Sequence, residues 1–158
     1  MASWAQIAAA EPDFAADARA SMDARVHKTM ATLRPDGSPR ISGIEARFID
    51  GELAFGSMPR SPKVRDLAAD PRFALHSGSE EPGGWGGDAK FAGTVVEVTN
   101  PDIKQAYVAA VGTAPPGDFH LYTTDITEVV VIRLGDPADH LVVRRWTPDR
   151  GLQVSKLR

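Results

Sequence analysis

The chain has no cysteine among its 158 residues. That excludes disulfides, thiolate-held metals and a cysteine nucleophile, and it leaves the redox compartment unstated. Long apolar runs are missing too. None approaches the ~18 residues of a membrane-spanning helix, and no basic stretch followed by an apolar one heads the chain, so no signal peptide is expected. Neither sign of charge dominates, since the formal net charge is −3. A broad basic footprint for nucleic acid is therefore lacking. The histidines, His27, His76, His120 and His140, form no HxxxH or HExxH pair, which argues against zinc. No GxSxG elbow, GxxxxGK[ST] loop or GxGxxG loop occurs. Carboxylates are dispersed, and Glu80-Glu81 sits in a glycine-rich stretch where it reads as solvated charge. No nucleophile or acid–base pair of the protein's own is evident, so an enzyme with this sequence would leave the hard step to a cofactor. The expectation is a cytoplasmic protein without membrane or nucleic-acid partners.

What is present suits one globular domain over residues 1–158, with 42% hydrophobic and 25% charged residues. Residues 1–25 read as a helical cover. Ser3 and Gln6 match a capping box, Pro12 interrupts, and a second helix from Asp13 to about Ala24 puts Phe14, Ala18 and Met22 on one face. From Val26 the pattern turns to strands over 26–158. Pro35-Asp36-Gly37 and Asp50-Gly51 are turn signals. They separate strands at about Lys28–Leu33, Arg40–Ile49 and Glu52–Ser57. Gly43, inside the long middle strand, suggests a bulge or the close approach of a ligand. A helix over Lys63–Ala69 and a strand over Phe73–Ser77 follow. Ser79 to Asp88, with Trp85, reads as a mobile connection or flap. Ala89–Thr99 is a strand, and Asn100-Pro101 opens a helix to about Val111 that Gly112 closes. Ala114-Pro115-Pro116-Gly117 is loop. Phe119–Tyr122, Thr127–Leu134, His140–Thr147 and Leu152–Lys156 complete seven to nine strands. Few, short helices and frequent turns predict a mainly β fold, a closed antiparallel barrel. A doubly wound parallel sheet would need a helix after nearly every strand.

One junction carries chemistry. Leu53 to Ser57 ends a strand, Met58 to Arg60 is loop, and Ser61-Pro62 starts a helix. Ser at the N-cap accepts from a free N–H, and Pro at the first position has none to lose. Such a start favours anions, whereas Lys63 and Arg65 in the first turn oppose the helix dipole unless an anion is there. Arg60 and Lys63, with the Ser57 and Ser61 hydroxyls, would surround one phosphate. A solvated, basic helix start is the alternative. Trp146, after Arg144 and Arg145, suits core packing, a subunit contact or a ring against a planar cofactor.

The run ATLRPDGSPRISGIEARFIDGELAFGSMPRSPKVRDLAADPRFALHS resembles the pyridoxamine 5′-phosphate oxidase-like proteins, the flavin- and deazaflavin-binding split β-barrels. DAKFAGTVVEV resembles the family's next strand, and HLVVRRWTPDRGL its C-terminal strand and turn. Lys63…Leu67…Asp70-Pro71-Arg72 is the most specific segment. The resemblance implies a six-stranded antiparallel split β-barrel with flanking helices. It also implies a homodimer with cofactors at the subunit interface. By position it assigns Ser57, Ser61 and Lys63 to the cofactor phosphate, with Arg60 nearby. It places Ile41, Ser42, Gly43 and Ile44 beside the phosphate or ring, and Lys90 and Trp146 as contributions from the second subunit. Pro62 departs from the Arg of the true oxidases. Their Arg-x-His near the C-terminus is also missing, which argues against pyridoxamine 5′-phosphate as substrate. The implied activity is an FMN-dependent oxidoreductase passing hydride to or from a small molecule. A deazaflavin F420 reductase, served by Arg60, Lys63, Arg65 and Lys90, is the alternative. A non-catalytic flavin- or haem-binding stress protein is a third reading. The substrate is not legible.

Overall fold

Tight turns start the meander. Gly37 and Gly51 take φ of 82° and 79°, a region open to glycine and costly for most other residues. They separate β1 (Lys28–Leu33), β2 (Pro39–Ile44), β3 (Ala46–Ile49) and β4 (Glu52–Ser57). The computed structural model describes residues 2–113, 115 and 117–158. The remaining elements are α1 (Trp4–Ala10), α2 (Pro12–Asp23), α3 (Pro62–Ala69), β5 (Arg72–His76), β6 (Asp88–Val98), α4 (Pro101–Val111), β7 (His120–Leu134), β8 (Leu141–Thr147) and β9 (Gly151–Leu157). The loop expected at Ala114-Pro115-Pro116-Gly117 lies in part, at Ala114 and Pro116, outside the described residues.

All strand pairs are antiparallel, in the order β2-β1-β5-β6-β7-β4-β3, with β8 on β7 and β9 on β8. The two ends of that path are consecutive in the chain. Glu45 alone separates β2, which pairs with β1, from β3, which pairs with β4. Counting β2 and β3 as one long strand, the six barrel strands therefore form a ring that hydrogen bonds leave open at one seam and the backbone spans. This is the expected split β-barrel, with β8 and β9 as a hairpin extension. The long strand changes partners at Glu45 and does not bulge at Gly43, which stays in register opposite Thr29. The register shifts instead opposite Ala92 and Gly93 of β6, where Thr127 of β7 is the extra residue. There a Cβ on Gly93 would stand 2.1 Å from the Asp125 carbonyl oxygen, so the close approach of β7 requires glycine. β7 runs unbroken through Thr123-Thr124-Asp125, where the sequence suggested two strands.

The capping box of α1 forms both its bonds, Gln6 N–H to Ser3 Oγ and Ser3 N–H to Gln6 Oε1. Trp4 and Ile7 of α1 and Phe14, Ala18 and Met22 of α2 are buried. They cover the sheet beside Phe48 and Phe91, with the Trp4 ring 4.6 Å from Phe48 and 5.6 Å from Phe91. Asp17 pins α2 through ion pairs to Arg133 and Arg144. The glycine-rich stretch is tethered, since Ser79 Oγ and Trp85 Nε1 both donate to Asp88 Oδ1 at 2.7 and 2.8 Å. Among the described residues no helix is long and apolar enough to cross a membrane.

Candidate functional site

The handover from β4 to α3 builds the site. β4 buries Leu53, Ala54 and Phe55 and ends at Ser57, then three exposed residues lead to Ser61. Ser61 has the extended backbone of an N-cap, φ −63° and ψ 133°, with Pro62 at the first helical position. Its hydroxyl makes no capping bond. The Val64 N–H bonds the Ser61 carbonyl at 3.0 Å instead, and Pro62 has no N–H to offer, so the expected side-chain cap does not form.

Two further observations at this end point to an anion. Ser57 Oγ is buried and has no hydrogen-bond partner, a costly state for a hydroxyl unless something else fills it. Lys63 is half-buried, and burial pulls its pKa below the ordinary lysine value. No carboxylate pairs with Lys63, Arg60 or Arg65 among the described residues. Two hydroxyls, an ammonium and a guanidinium around a helix N-terminus form the donor set that suits a phosphate group.

These groups open into a cavity of about 860 Å³, within the usual range for small-molecule sites. Gly43, Ile44, Ser57, Arg60, Ser61 and Lys63 all line it. A Cβ on Gly43 would meet nothing within 4 Å, and its φ is not positive. Neither packing nor backbone conformation requires glycine there, so its one effect is a bare stretch of strand on the cavity wall. The other expected site residues lie elsewhere. Ser42 shares the inward face of Arg40 and Ile44. Ile41 is 75% exposed on the outer face. Lys90 is exposed on β6, in register with His76 and Val130. Trp146 is 7% exposed and packs in the core of its own chain. The reason is parity: Arg144 and Trp146 point to the face that α2 covers, where the Arg144 guanidinium lies over Phe14.

Sequence reasoning missed the far wall. Tyr107 is the one buried residue of α4. Its hydroxyl accepts the Gly56 N–H at 3.1 Å, which leaves the phenolic proton free to donate, and burial raises its pKa. Phe119 packs on it with ring centres 6.1 Å apart. His27 and Glu45, 3.8 Å apart, stand at the seam. A single large aromatic on a helix otherwise rich in Ala and Val was the one available sign of Tyr107.

The pyridoxamine 5′-phosphate oxidase family model matches residues 17–132. No curated protein sequence matches the chain. Among solved structures, a pyridoxamine 5′-phosphate oxidase-related, FMN-binding protein of Nostoc punctiforme superposes with a TM-score of 0.64. It is 16% identical, over 94% of this chain and 96% of that one. A haem-binding protein of Mycobacterium smegmatis gives 0.59 at 16% identity, over 89% and 86%. An F420 reductase gives 0.54 at 21% identity, over 70% and 94%. At these identities the likeness is one of fold.

Proposed function

From the premise that this chain belongs to the pyridoxamine 5′-phosphate oxidase family, we propose that its cavity binds FMN and serves an oxidoreductase acting on a small molecule. The carrying observation is the unpartnered Ser57 hydroxyl, buried beside an uncapped Ser61 and an unpaired Lys63. Ser57, Ser61 and Lys63 would hold the phosphate, with Arg60 at the rim, and the bare strand at Gly43 and Ile44 would flank the ring. FMN bound there supplies two-electron hydride chemistry. The chain's own part is to grip the anion, orient the ring and keep water from one side of it with Tyr107, Phe119 and Ile44. Titrating purified protein with FMN and following its fluorescence tests the reading. Saturable quenching supports it, and FMN fluorescence unaffected by excess protein refutes it.

F420 is the second reading. Arg60 and Arg65 are exposed and unpaired among the described residues, a basic strip suited to a longer anionic tail. Competing the two cofactors in one titration separates the readings.

The proposal includes a homodimer. The outer face of the sheet carries Ile41 of β2, Ala31 of β1, Ala74 of β5 and Ala92 of β6 in one register row. Lys90 and Val130 stand in the adjoining row. A flat row of small apolar side chains with a fully projecting isoleucine suits a self-complementary two-fold contact. It would also set Lys90 facing the partner. Light scattering should give twice the chain mass, and Ile41→Asp should give the monomer.

A further inference from the structure

The helix that carries Lys63 is tied down by a buried carboxylate to which the flavin reading gives no role. Asp66 is 1% exposed. It accepts from Thr32 Oγ1 at 2.7 Å and from Arg40 Nε and Nη2 at 2.6 and 3.4 Å. Thr32 belongs to β1 and Arg40 to β2, so one side chain joins α3 to two strands. Asp66 follows Lys63 by three positions, one turn further along α3. Arg40 precedes Gly43 by three, on the strand that becomes the cavity wall.

Holding α3 on the barrel does not require this pair. Val64 and Leu67 of α3 are already buried, and apolar residues in place of a buried ion pair often hold a fold as well or better. What a forked, three-bond contact adds is direction: it fixes the rotation of α3 and its position along β2. We propose that Asp66, Arg40 and Thr32 form a positioning clamp that sets the span between the anion end at Lys63 and the wall at Gly43–Ile44. The cavity thereby selects ligands by the distance from anion to ring. This rests on the reading that FMN is the ligand.

The test compares wild type, Lys63→Ala and the triple variant Thr32→Val, Arg40→Met and Asp66→Leu, which leaves no buried hydroxyl without its acceptor, each titrated with FMN and with riboflavin, which lacks the phosphate. The triple variant is expected to melt near wild type and to bind FMN roughly three- to thirtyfold more weakly, the usual reach of residues acting through others. Riboflavin affinity is expected to stay constant. Arg40→Lys, which keeps the charge and loses the fork, should shift the FMN-to-riboflavin ratio in the same direction by less. If wild type takes up no FMN, the clamp falls with the cofactor reading. If Lys63→Ala weakens FMN and both clamp variants bind it like wild type, the cofactor reading stands and the clamp alone is overturned. Equal losses for FMN and riboflavin also overturn it, since they mark a general structural role.

Discussion

Replacing Lys63 by methionine should move binding and stability in opposite directions. In the ligand-free protein the ammonium is half-buried, and desolvation holds its pKa below the ordinary lysine range. No carboxylate offsets that burial among the described residues. Methionine keeps the apolar stem and removes the strained charge, so the ligand-free variant should melt at or slightly above wild type. Binding should weaken by the worth of one charge-assisted hydrogen bond, ~1.5–3 kcal/mol. At about 1.4 kcal/mol per tenfold, that is roughly a ten- to 150-fold rise in the FMN dissociation constant. The pH profile adds an independent check. Lysine must be protonated to hold a phosphate dianion, so wild-type affinity should fall as pH rises through the Lys63 pKa. Because burial lowers that pKa, the fall should begin below the usual value of about 10.4. Fluorescence titration at constant ionic strength reads both effects, and a thermal melt without FMN reads stability. Unchanged FMN affinity in Lys63→Met, or an alkaline fall that persists in it, would falsify the assignment of this residue.

Other substitutions separate site from scaffold. Gly43→Ala has open space for its methyl group, so its denaturation midpoint should stay close to wild type while FMN binding weakens. Gly93→Ala drives a Cβ to within 2.1 Å of the Asp125 carbonyl and should destabilise by ~1–3 kcal/mol through overpacking, seen as a lower urea midpoint. Tyr107→Phe strands the Gly56 N–H that its hydroxyl now accepts. The expected loss is ~1–3 kcal/mol of stability, and a midpoint equal to wild type would show that water replaces the hydroxyl. The Arg40 guanidinium holds the Asp66 carboxyl below its usual pKa, with Thr32 assisting against burial. A carboxylate depressed in the folded state contributes stability above the unfolded value of about 3.9 and loses it as pH falls through the folded one. Melts from neutral to acid pH should therefore show a steeper decline for wild type than for Asp66→Asn.

The local signals in the chain were dependable where one residue type decides the outcome. Asn100 caps α4 through its side chain, and Gly112 closes it with φ 77°, as Asn-Pro and glycine imply. β1 and β4 begin and end where the turn residues place them. That Ser57, Arg60, Ser61 and Lys63 line one cavity was legible too, because the run from Ser57 to Lys63 is contiguous. Contacts between distant segments were not. Tyr107, Phe119 and His27 reach the cavity from three separate places, and no spacing links them. Trp146 illustrates the same limit. Its side of β8 is fixed by alternation, but which side is dry depends on α2, more than a hundred residues earlier. The β7 break expected near Thr123 failed because the polar run there is matched across the sheet, with Thr124 donating to the Leu53 carbonyl at 3.1 Å.

The seam at Glu45 has a topological consequence. Every other neighbour in the ring is zipped by a ladder that must melt to part. Here the junction is a single covalent link, which cannot melt but can be cut. New chain ends placed at Glu45, with the old ones joined, would turn a ring spanned there by backbone alone into a ribbon with two free borders. The cavity would lose the fixed angle between its walls, and a guest held at both ends would lose its seat with Glu45 the one lining residue altered.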